Sequence, residues 1–248
     1  MKKISKIILL INFCVGIFYF FKDTSTIYQP FLGISAKHWL GTNSYGLDVF
    51  SVLFAANIYI FIMLIFGYLS FLSAVFLGSM QGYLRGVYDF IGQRVYEVII
   101  SIPFFFVIIL YSGWQELNIF SLGLILLLFN WTFLLQYIRI QALKISMNSY
   151  IIQMQDIGYS RSRILLFHIC PNVYYNTKHL LPFVLILFAT SLTALNFLGL
   201  YEVYGVGSLI LDGVNNLDFP LILLSSCSFM IILLLSLIGV FDVSKYHD

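Results

Sequence analysis

Apolar residues run along this chain in long blocks, with neither the strict alternation of a half-buried strand nor the narrow apolar stripe of a soluble helix. A helix needs about 20 mostly apolar residues to cross the hydrocarbon core of a bilayer. Six blocks reach or approach that length: 7–21, 52–77, 95–111, 117–138, 180–200 and 219–241. The pattern predicts an all-α, polytopic integral membrane protein, a single transmembrane domain over 1–248 with six transmembrane helices. The first block is short and follows Met1-Lys2-Lys3, like the basic start of a signal peptide. Lys22 and Asp23 stand where a small-residue cleavage site belongs, so an uncleaved first span is expected.

Composition turns this pattern into an exclusion. The 248 residues are 60% apolar and only 10% charged, with 13 Lys+Arg and 11 Asp+Glu. Soluble domains carry about 25% charged residues, so a soluble enzyme or nucleic-acid binder is excluded and membrane lipid is the expected surrounding. The placement of charge adds orientation. Six spans put Lys2, Lys3, Lys6, Arg85, Arg94, Arg139, Lys144, Arg161, Arg163, Lys178 and Lys245 on one side, leaving Lys22 and Lys37 on the other. Basic residues mark the cytoplasmic side. Both termini are therefore expected in the cytoplasm, with the chain in a bacterial-type plasma membrane. The opposite loops carry Asp23, Asp48, Glu116, Glu202, Asp212 and Asp218, read as ordinary loop solvation. Most of the 17 Tyr and 25 Phe are expected in lipid-facing and interfacial belts.

Catalytic chemistry is hard to place on this chain. The expected span interiors hold Asn57, Asn130, Gln136 and Asn196, with Glu97 near one end, and form no relay of ionisable groups. No G-x-x-x-x-G-K-[ST] loop is present to cradle a nucleotide phosphate. His38, His168, His179 and His247 lie apart, without ligand-like spacing, and Cys14, Cys170 and Cys227 form no C-x-x-C pair. No catalytic residue, cofactor or metal ligand is expected, and a transport process run by this chain needs energy from elsewhere.

The segment 139–179, between the fourth and fifth expected spans, is the candidate coupling element. Most connections run to only a few residues. Gly158 is placed to end a helix in a left-handed conformation, Ser160 to cap the next, and Pro171 to interrupt the chain before the fifth span. A helix, a turn and a second helix on the cytoplasmic surface are expected. Gly78, Gly82 and Gly86 recur every four residues, which suits close helix packing along one face. Arg85 and Asp89 stand four apart and are expected to pair. The outer segment 201–216, with Gly205-Val206-Gly207, reads equally well as a re-entrant segment or a plain loop.

These residues carry a resemblance. The loop is similar to the E-A-A loop of ABC importer permeases, with its glycine at Gly158 and its proline at Pro171. More narrowly, the chain resembles the C-type permease of the peptide/nickel importers. Tyr150, Gly158, His168, Ile169, Pro171 and Asn172 fall on that branch's pattern, as do Trp131, Arg139 and Leu143 upstream. Leu40-Gly41-Thr42, Gly46 and Asp48-Val49-Phe50-Ser51 match its L-G-T-D-x-x-G-R-D-V-F-S; Gly82-Tyr83, Gly86, Asp89, Arg94 and Pro103 match a further stretch; Phe197-Leu198-Gly199-Leu200 matches the end of its fifth span. The core of the resemblance covers about 40–241. The departures are Ile152-Gln153-Met154 for the E-A-A triplet, Asn43 for the first aspartate of L-G-T-D, and Leu47 and Val52 for arginines.

The resemblance implies a permease subunit and not an enzyme, with ATP and Mg bound only by partners. It implies a second homologous permease, two ATP-binding subunits and an extracytoplasmic substrate-binding protein. The coupling loop to the ATPase would be carried by Tyr150, Gln153, Met154, Gly158, Arg161, Arg163, His168 and Pro171, and helix packing by Gly78, Gly82 and Gly86. The cargo would be a short peptide or, alternatively, nickel or a metal chelate. The reading from a different class is an ATP-independent channel or structural membrane protein, in which 139–179 is a passive connector.

Overall fold

The computed structural model describes residues 14–15, 17–18, 26–201 and 205–240. The expected span 7–21 lies almost wholly outside the described residues. The architecture is helical: α1 Val49–Leu84, α2 Gly86–Ser101, α3 Phe104–Ser112, α4 Ile119–Asn130, α5 Thr132–Ser146, α6 Ser149–Asp156, a continuous helical run α7 over Arg161–Phe197, α8 Val206–Asn215 and α9 Phe219–Val240. Among the described residues the sole β feature is an isolated bridge between Thr42 and Asp48.

By length and apolar composition, α1 and α7 are each able to cross a membrane. The bent pairs α2–α3 and α4–α5 raise the number of candidate spans among the described residues to four. The expected third span is not one straight helix: its halves diverge by 66° at Ile102–Pro103. Proline has no N–H to donate and pushes the residue before it into extended backbone, and Ile102 sits at φ −96°, ψ 116°. The bend of 44° between α4 and α5 falls at Trp131. There the Thr132 hydroxyl donates back to the Phe129 carbonyl, a side-chain bond of the kind that competes with the helix ladder.

The chain divides into two compact units, one of Met1–Leu64, Leu117–Ile119 and Ile186–Asp248, the other of Ile65–Glu116 and Phe120–Leu185. In the first, the stretch before α1 is a folded turn. The Thr42 hydroxyl donates to the Gln29 carbonyl at 2.7 Å and accepts the Leu32 N–H at 2.8 Å. Gly41 takes φ +75°, and a Cβ there would lie 2.5 Å from the Leu32 carbonyl oxygen. Asn43, almost fully buried, accepts the N–H groups of Tyr45 (3.1 Å) and Leu47 (2.8 Å) on its side-chain oxygen. An amide oxygen here does the accepting a carboxylate would do, so asparagine can fill the place of the aspartate that the resemblance implies. Asp48 then starts α1 by accepting the Ser51 N–H at 3.0 Å, while its other oxygen meets His38 Nδ1 at 2.8 Å.

The segment 201–216 contains a helix among its described residues. Residues 206–215 form the amphipathic helix α8, which buries Val206, Gly207, Leu209, Asp212 and Gly213 and packs on α9. Asp212 is held by Ser44, whose hydroxyl and N–H both donate to it, and by Asn216 Nδ2 at 2.7 Å. Asn196, noted from sequence as a polar residue in an apolar block, donates to the Tyr201 carbonyl (3.0 Å) and accepts the Ser208 N–H (2.8 Å). Buried polar groups require such partners.

The second unit is centred on α5, which buries Leu134, Leu135, Ile138, Ala142 and Ile145 against α1, α2 and the α7 run. Gly78 and Gly82 allow α1 to reach α5 closely. A Cβ on Gly78 would lie 2.7 Å from Ile138 Cγ2, and one on Gly82 would lie 2.3 Å from the Arg139 carbonyl oxygen. Gly86 corrects the expectation of one shared face. α1 stops at Leu84, Gly86 (φ +57°) opens α2, and no atom lies within 4 Å of where its Cβ would be.

The expected Arg85–Asp89 pair does not form either. Arg85 falls in the break between the two helices at φ 53°, ψ −163°, so the two residues are not four apart on one helix. Its Nη2 donates to Ser146 Oγ at 3.3 Å. This conformation is almost confined to glycine and costs of order 1–3 kcal/mol in other residues.

Candidate functional site

The expected helix–turn–helix is present at 149–164, built on local rules. α6 begins after Asn148, which is extended (φ −67°, ψ 140°), and buries only Ile151. Its end is a Schellman motif. The Gly158 N–H donates to the Gln155 carbonyl and the Tyr159 N–H to the Met154 carbonyl, both at 3.0 Å, with Gly158 at φ +94°. No atom lies within 4 Å of the Cβ position on Gly158, so glycine is required here for its backbone angle and not for space. Ser160 occupies the N-cap of α7 in extended conformation, but its side chain makes no capping bond.

The remaining expectation for this loop needs correction. Pro171 does not interrupt the chain before the fifth span: the helical run continues from Arg161 to Phe197. Immediately before the proline, Leu165–Ile169 form a π-helical turn, a widening through which a helix absorbs a residue that cannot complete its ladder. The apolar helix of block 180–200 therefore starts in the loop itself, about 20 residues before that block.

The site residues distribute as follows. Tyr150 is exposed at the start of α6, and its hydroxyl accepts Asn172 Nδ2 at 2.8 Å, while the same amide donates to the His168 carbonyl at 2.8 Å. The link ties α6 to α7. Gln153 is exposed and Met154 half-buried. Arg163 lies over the Tyr159 ring at 5.3 Å, a cation–π contact. Arg161 lines an open cavity with Arg85. His168 is half-buried and contributes its carbonyl, and Pro171 is exposed on the following turn. Tyr150, Gly158, Arg161, Arg163 and Tyr159 thus belong to one capped turn, whereas Gly78 and Gly82 belong to the α1–α5 contact. Ile152 and Ile157 are exposed beside them at 47% and 75%.

Sequence reasoning did not foresee the polar ladder that braces this face. Arg139 on α5 donates through Nε and Nη2 to both oxygens of Asp89 on α2, each at 2.6 Å. Gln136, one turn earlier, donates to Gln93 at 2.8 Å, and Gln93 to Gln81 on α1 at 3.3 Å. The available signal was Gln136 and Arg139 on one helical face at the end of an apolar block, since such groups need partners.

The residues 74–246 match the family model described as the binding-protein-dependent transport system inner membrane component. The inner membrane ABC transporter permease protein YejE of Escherichia coli K12 is 37% identical over 190 residues, 75% of this chain and 56% of its own length. The peptidoglycan transport system permease protein YejE of Agrobacterium fabrum is 31% identical over 216 residues, 86% of this chain and 57% of its own. The oligopeptide transport system permease protein OppC of Bacillus subtilis is 30% identical over 139 residues, 56% of this chain and 46% of its own. The chain spans about half the length of the curated relatives it matches. All three are named as permeases, which are transport components and not enzymes, and the apolar helices agree with a multi-pass inner-membrane protein. The matched region holds α5, α6 and α7 together with their packing glycines, and the chain belongs to the family of binding-protein-dependent transport system inner membrane components, the permeases of ABC transporters.

Proposed function

We propose that this chain crosses the membrane six times with both termini in the cytoplasm, and pairs with a second homologous permease to form a path for short peptides. Two ATP-binding subunits on the inner face drive it, and an extracytoplasmic binding protein delivers the cargo. The observation that carries this reading is the capped turn at 149–163. A short helix ends in a Schellman motif at Gly158 and presents exposed Tyr150, Ile152, Ile157 and Arg161 on a scaffold braced by the Asp89–Arg139 pair. Closure of the ATPases on this turn would move α6, and the helical run that starts at Arg161 would carry the movement into an apolar helix. The names of the relatives, for oligopeptides and for peptidoglycan, support a peptide cargo.

The test is isolation from the native host in mild detergent, followed by reconstitution of whatever accompanies the chain into vesicles with labelled short peptides. An ATP-binding subunit in the complex and ATP-dependent peptide accumulation are expected. A complex without any ATPase, or accumulation indifferent to ATP, sinks the proposal.

A further inference from the structure

The end of α1 and the start of α7 leave two arginines lining one cavity. It is open to solvent and bordered by Tyr83, Arg85, Ser146, Met147, Gln155 and Arg161 among others. Each cation is placed by a separate backbone device. Arg85 occupies the break after α1 at positive φ and is steadied by Ser146 Oγ. Arg161 opens α7, directly after the Gly158 turn. The Tyr83 hydroxyl accepts Gln155 Nε2 at 3.3 Å and keeps its own proton to donate. Among the described residues neither Arg85 nor Arg161 has a carboxylate partner. Like charges on one cavity repel, and an oxyanion between them removes the repulsion while accepting from both planar forks.

We propose that this cavity seats an aspartate or glutamate side chain of the ATP-binding subunit. This rests on the permease reading above and adds to it the polarity of the contact, with cations on the permease and the acid on the ATPase. Two observations favour a protein carboxylate over a lipid headgroup. α1 has 36 residues, about 54 Å of helix against a hydrocarbon core of about 30 Å, so its end can project well beyond the acyl chains. The neighbouring Ile152 and Ile157 expose apolar surface that a docked protein would cover.

The test measures binding of the purified ATP-binding subunit to the permease complex in nanodiscs, across a salt series. Arg161→Gln and Arg85→Gly are the variants. Positive φ suits glycine, so Arg85→Gly removes the guanidinium while keeping or raising the melting temperature. Each is expected to weaken binding about tenfold and to flatten its salt dependence. An Asp or Glu to Lys exchange on the ATPase is expected to restore binding to Arg85→Glu/Arg161→Glu. Variants that bind like wild type with the same salt slope overturn the cavity assignment and leave the permease reading standing. A loss seen only in nanodiscs of anionic lipid assigns the cavity to a headgroup and overturns it as well. Wild-type complex that binds no ATPase overturns the permease reading itself.

Discussion

Arg139 meets Asp89 through two parallel hydrogen bonds of 2.6 Å, joining α5 to α2 across the helix break at Arg85. The pair is about three-quarters shielded from solvent. Two-point geometry of this kind is specific to arginine. Asp89→Asn or Arg139→Gln should each lower stability in detergent by about 1–3 kcal/mol, and the double variant by less than their sum. Arg139→Lys should recover only part of the loss. Thermal unfolding of the four species forms the cycle, and strict additivity would show that the pair contributes nothing.

Gly82 and Gly86 should respond differently to alanine. At Gly82 the new methyl meets the Arg139 carbonyl oxygen, main chain that cannot turn aside, and α5 must shift, with an expected loss of about 1–3 kcal/mol. Gly78→Ala meets the Ile138 side chain instead and should be milder. Gly86→Ala meets nothing and is opposed only by its positive φ, for about 1–2 kcal/mol. Melting temperatures that rank Gly78→Ala as worse than Gly82→Ala would contradict the described α1–α5 contact.

Gly158→Val tests the turn without touching its exposed side chains. The residue must leave φ +94° or hold it under strain of about 1–3 kcal/mol, and the Schellman bonds should open. Hydrogen exchange at the amides of Gly158 and Tyr159 is expected to accelerate while α5 stays protected. Unchanged protection at both amides would remove the structural reason for glycine here.

Asn43 offers a graded series. Asn43→Asp keeps an oxygen acceptor for the Tyr45 and Leu47 N–H groups and should be close to neutral at pH 7. Asn43→Ala removes the acceptor of the buried Leu47 N–H and should cost about 1–3 kcal/mol. Equal melting temperatures for wild type and alanine would show that the turn is held by other bonds.

How much was legible in the sequence differs from element to element. The Gly158 turn was legible because its cause is local: one glycine after a short helix fixes both the stop and the change of direction. The Pro103 bend had a local cause as well, yet the apolar block ran straight through it, because hydropathy does not register a missing N–H. The Arg85–Asp89 expectation failed for a related reason, since spacing of four residues implies proximity only while one helix continues.

The sequence by itself determined that the chain is an apolar, helical membrane protein of the ABC permease type, and that a patterned loop lies between two apolar blocks. The apolar, helical character and the loop follow from composition and from residues near one another in the chain, whereas the permease type rests on the resemblance of its motifs to a known family. Tertiary structure alone decided, among the described residues, which cations meet a carboxylate and which do not, by bringing together residues 50 to 76 positions apart: Asp89 with Arg139 in one ion pair, Arg85 and Arg161 on the lining of one cavity. A charge in a sequence has no partner until folding brings one to it, and that pairing separates the brace of this molecule from the face we assign to the ATPase.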